Sequence, residues 1–137
     1  MARKLGPVLS FRGVVNQHWR VSALVVMEAD DPAPLLTWQP PGQPAVTATP
    51  QALGTPPGAA LTIWRFDLLI ALSETPQQIV YTLADNPAPH TFSVPARGGM
   101  PNMAYVSCNG FSSMKLMNDT RDPYAMWRDL RDRKSVV

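Results

Sequence analysis

The chain has 137 residues, 45% hydrophobic and 16% charged, with a formal net charge of +2; that size holds one ordinary domain and a fraction of a second, not two full ones. Its 15 prolines are far above the usual share of about 5% and exclude long helices through most of the chain. No apolar run approaches the ~18 residues of a membrane span, and a single cysteine cannot form an internal disulfide.

In chain order, residues 8–14 and 19–27 read as strands; in the second, Trp19, Val21, Ala23, Val25 and Met27 fall on one face at period two. Asp30 and Asp31 beside Pro32 read as a turn; two carboxylates are too few for calcium. Residues 35–38, fenced by prolines, make a short strand. The stretch from Pro40 to Pro57 is expected to be a long mobile surface excursion, with no repeat in it. Residues 60–72 could be helical by length, yet the alternation of Trp64, Phe66, Leu68, Ile70 and Leu72 predicts a long strand. Residues 78–83 and 90–94 complete the set, with residues 85–89 as the turn between them. About six short strands with frequent turn signals predict a mainly β fold, an immunoglobulin-like antiparallel β-sandwich over residues 1–95. His18 and His90 begin strands and read as edge or core histidines.

Glycines and prolines over residues 96–102 mark a linker. A second unit, 103–137, then begins with an apolar strand ending at Ser107-Cys108-Asn109-Gly110. A loop through Lys115 to Asp122 leads to a helix over 123–130, with Asp122 as N-cap, Pro123 at the first helical position, and Tyr124, Trp127 and Leu130 sharing a face. Arg128, Arg131, Arg133 and Lys134 alternate with Asp129 and Asp132, and Arg121 adjoins Asp122, so the basic residues form a neutralised helix face and not a nucleic-acid patch. With one cysteine and no charged, apolar, small-residue leader before Gly6, a cytoplasmic setting is expected.

Cys108 reads alternatively as a small buried hydrophobe or a reactive thiol, but no base lies near it in sequence, since both histidines fall in the sandwich. Asn109 can orient an oxygen through its amide, and Gly110 lets a backbone approach; both are also natural turn residues.

The stretch Ala104-Tyr105-Val106-Ser107-Cys108-Asn109-Gly110-Phe111-Ser112, followed by Ala125-Met126-Trp127-Arg128-Asp129-Leu130, resembles the start of the catalytic domain in PhoD-like alkaline phosphatases of the calcineurin-like metallophosphoesterase superfamily. The match covers roughly residues 104 to 130; upstream, the likeness is architectural, to the small β-sandwich before that domain. The resemblance implies that residues 103–137 are the first strand, loop and helix of an α/β metallophosphatase domain. It implies iron and calcium as the metal ions, Cys108 as a metal ligand, Asn109 as a substrate contact and a phosphate ester as substrate. The family includes exported members. Its next signature, a Gly-Asp-Gln-hydrophobic-Tyr-Ala-Asp run supplying carboxylates, is absent here, so the resemblance implies an amino-terminal fragment, inactive alone. The alternative is a stand-alone β-sandwich interaction module using Trp19, Trp38 or Trp64 at a binding surface.

Overall fold

The computed structural model describes residues 3–100, 114–119, 121, 122 and 128. The chain divides into two compact units, Met1–Asn102 and Met103–Val137. In the first unit the strands are β1 (Leu5–Val15), β2 (His18–Glu28), β3 (Leu36–Gln39), β4 (Val46–Ala48), β5 (Gln51–Gly54), β6 (Leu61–Ala71), β7 (Gln77–Leu83) and β8 (Asn86–Val94). They form two four-stranded sheets, ordered β1-β2-β6-β5 and β4-β3-β7-β8, with every pairing antiparallel.

The alternation seen in the sequence explains the layering. In β2, Val21, Ala23, Val25 and Met27 are buried, and in β6 so are Phe66, Leu68 and Ile70. The register sets Val21 opposite Leu68 and Ala23 opposite Phe66, so the inward columns of the two strands coincide. Leu36 and Trp38 of β3, Ile79, Tyr81 and Leu83 of β7 and Val94 of β8 supply the other half of one shared core. Each fully buried large side chain there contributes roughly 1.5–3 kcal/mol as an upper figure. The mainly β fold is as expected, and of the stretch expected as a strand over 60–72, Leu61–Ala71 is a strand and not a helix.

Three expectations need correction. The stretch from Pro40 to Pro57 is not a bare excursion: it carries β4 against β3 and β5 against β6, which raises the strand count from about six to eight. Segments of three and four residues suffice because each leans on a longer strand already in place. Residues 85–89 are not a turn either. The reversal is confined to Ala84 and Asp85, and β8 begins at Asn86, running through Pro87 and Pro89. That placement works because β8 is the sheet's edge, where a backbone position without an N–H is tolerated on the unpaired flank.

The third correction lies in the second unit. Residues 114–119 form a short helix, α1 (Met114–Asp119), where a loop was expected. Met, Lys and Leu are good helix formers, and Lys115 Nζ meets Asp119 Oδ2 at 2.8 Å in i,i+4 spacing. Of the helix expected over 123–130, only Arg128 is described, and it is helical. The apolar strand at 103–108 and the capping of that helix lie outside the described residues.

Candidate functional site

Cys108 and Asn109 lie outside the described residues. Their two acidic neighbours downstream are engaged: Asp119 with Lys115, and Asp122 in an ion pair with Arg128. Among the described residues no group of three His, Cys, Asp or Glu side chains comes together in a way that could hold a metal ion.

Three tryptophans, Trp19, Trp38 and Trp64, fall among the described residues. Trp38 is buried in the core, while Trp19 and Trp64 are half-buried and pack against it. Their inward direction follows from the pleat, since each shares its strand face with core residues. Asp31 N donates to Glu28 O at 3.1 Å, closing the turn expected at Asp30 and Asp31.

The same pleat turns His18, Arg20 and Ser22 of β2 outward, opposite Ala71, Leu69 and Asp67 of β6. Four of these positions, His18, Arg20, Asp67 and Leu69, join Val15 and Asn16 in lining an open cleft of about 460 Å³. Its rim is the β1–β2 turn, where Asn16 and Gln17 both take positive φ, 49° and 62°, as a two-residue hairpin of this hand requires. His18 Nδ1 donates to Asn16 O at 2.7 Å; a carbonyl can only accept, so this bond needs a proton on Nδ1 and leaves Nε2 as the ring's acceptor.

Both carboxylate oxygens of Asp67 have a partner. Its Oδ1 accepts from Ser22 Oγ at 2.6 Å, and its Oδ2 lies 3.2 Å from Arg65 Nη2. Ser22 is only 3% exposed, so that hydroxyl is satisfied by this bond alone among the described residues. Arg20 differs from the other two: among the described residues its side chain has neither a hydrogen bond nor an ion pair. A half-buried guanidinium, walled by Val15 and Leu69, therefore brings unspent donors to this cleft, beside the side-chain amide of Asn16.

A second polar cluster sits where the approach to β1 meets the β7–β8 turn. Arg3 Nε lies 3.4 Å from Asp85 Oδ2, with both side chains mostly buried, and Tyr81 stacks on His90 with ring centroids 5.2 Å apart. Burial pushes the Tyr81 hydroxyl above its ordinary value, against a smaller opposing pull from Arg3. These contacts tie the start of the chain to the second sheet, and His90 serves as a ring partner there.

The cleft was not legible as a site in the sequence, because His18 and Arg20 are distant from Asp67 and Leu69 along the chain. The outward parity of β2 and β6 was the available signal. Comparison of the chain with models of known families, with curated proteins and with solved structures gives no match.

Proposed function

We propose that this chain is the amino-terminal part of a metal-dependent phosphoester hydrolase of the PhoD-like type. The observation that carries the reading is order along the chain: a two-sheet unit ending at Asn102, followed at once by the Tyr105-Val106-Ser107-Cys108-Asn109-Gly110 segment. In this reading the first unit is an immunoglobulin-like accessory sandwich, and residues 103–137 open the catalytic domain. Cys108 supplies a thiolate to the metal centre and Asn109 an amide to the substrate. Bound metal ions would lower the pKa of a water and neutralise charge at the phosphoryl group.

Among the described residues no group completes such a centre, and Asp119 and Asp122 pair with Lys115 and Arg128. In this reading one thiolate is too few donors for iron or calcium, and the remaining ligands come from a later part of the protein.

This reading requires the open frame to continue past Val137, and the test uses that longer protein. Purified longer protein should contain metal and hydrolyse p-nitrophenyl phosphate, and Cys108→Ser should lower both; the 137-residue chain should do neither. Stoichiometric metal and strong turnover in the short chain would overturn the fragment reading. A longer protein without metal or phosphoester hydrolysis would overturn the hydrolase reading. The stand-alone module draws on a different observation, the exposed apolar side chains Leu5, Val8, Val15 and Leu69 on the outside of the first sheet.

A further inference from the structure

We infer that the cleft at the β1–β2 turn binds an oxyanion carried on an apolar body, a carboxylate or phosphate monoester attached to a small ring or chain. The inference is independent of the hydrolase reading.

Its first ground is charge. Asp67 could repel an anion, but it is paired with Arg65, which also donates to Gln51 Oε1. Arg20 is left as the uncompensated cation of the cleft. A guanidinium presents several N–H donors in a planar fork suited to two oxygens of one carboxylate or phosphate.

The second ground is orientation. His18 and Arg20 stand two apart on β2 and so project on the same face. The bond from His18 Nδ1 to Asn16 O fixes the ring with Nε2 as an acceptor, placed to take a proton carried by the ligand, such as the O–H of a monoprotonated phosphate.

The third ground is apolar surface. Val15 is 45% exposed and Leu69 54% exposed, and both line the cleft beside Arg20. A bare inorganic ion would leave them wet, whereas an aromatic or aliphatic body would cover them.

The test is an NMR titration of the 15N-labelled chain with benzoate, phenyl phosphate and inorganic phosphate in parallel. Benzoate or phenyl phosphate should saturate in the millimolar range, with amide shifts confined to residues 15–20 and 67–69; the comparison of the two separates a planar from a tetrahedral head. Arg20→Gln should weaken that binding at least about tenfold, the loss of a charged hydrogen bond. His18→Gln should weaken it less, and Arg12→Gln, an exposed cation outside the cleft, should leave it unchanged. Amide spectra of each variant establish that it is folded. No saturation by either organic anion overturns the inference, as do equal binding of inorganic phosphate, shifts elsewhere, or undiminished affinity in folded Arg20→Gln.

Discussion

Two glycines in β1 offer a matched comparison of backbone strain with backbone collision. Gly6 has φ +101° and Gly13 φ +96°, both in the region L side chains avoid. Around Gly13 no atom lies within 4 Å of an added Cβ. At Gly6 the added Cβ would run into the carbonyl oxygen of Leu24 and lie 3.2 Å from Val25 Cα, both backbone atoms of β2. Gly13→Ala therefore carries only the conformational penalty, about 1–3 kcal/mol, reduced by the ~0.4–1 kcal/mol that alanine gains by restricting the unfolded chain. Gly6→Ala must in addition push β1 away from β2. That movement strains the bond from Lys4 N to Val26 O, now 2.9 Å, and the adjacent pairing of Leu5 with Val26. Each ladder bond lost costs about 0.5–1.5 kcal/mol net. Gly6→Ala should then exceed Gly13→Ala by at least about 1 kcal/mol, or roughly 4–8 °C in Tm for a domain near this size. Urea and thermal melts of the two variants followed by circular dichroism measure the difference. If the two fall within about 0.5 kcal/mol of each other, within ordinary additivity error, the close approach of β1 to β2 at this point is refuted.

Other expectations follow from the core and the polar pairs. Phe66→Ala, at a fully buried position facing Ala23, should cost about 3–5 kcal/mol, read from the urea midpoint with the slope unchanged. Ser22→Ala removes the 2.6 Å bond to Asp67 and should cost about 1–2 kcal/mol, whereas Ser10→Ala, on the neighbouring exposed position, should change stability little. Tyr81 holds its proton more tightly folded than unfolded, its ordinary value being 10.0. Its contribution is intact below that value and is lost as pH rises from there through the raised folded value. Melting temperatures between pH 9 and 11, set around that ordinary Tyr value, should fall more steeply for the parent chain than for Tyr81→Phe.

How much of the fold could be read in advance depended on strand length. In β2 and β6, five or more alternating positions repeat the same signal, and the inward residues Val21, Ala23, Val25, Phe66, Leu68 and Ile70 are those the pattern selects. Strands as short as β4 and β5 leave no room for a period, and their bounding prolines, 44, 50 and 56, read as loop. Pro87 and Pro89 misled for a related reason: proline marks turns on average, and only knowledge of which strand lies at an edge shows where it is compatible with pairing. α1 escaped because six residues, bracketed by Ser113 and Thr120, give a helical stripe less than two turns. The outer cleft needed the register between β2 and β6, a long-range fact. Its ingredients, however, follow from inward parity: whatever alternates with the core residues along β2 and β6 points away from them.

Between Ala48, the last residue of β4, and Gln51, the first of β5, stand only Thr49 and Pro50. Within that interval the backbone leaves one layer and joins the other. So brief a crossing acts as a clasp along one side of the molecule: neither layer can peel off or slide lengthwise without tearing hydrogen bonds from both. Amide exchange from β3 and from β6 should consequently report a common opening event, and a break of the chain at Pro50 should let the two layers exchange at separate rates.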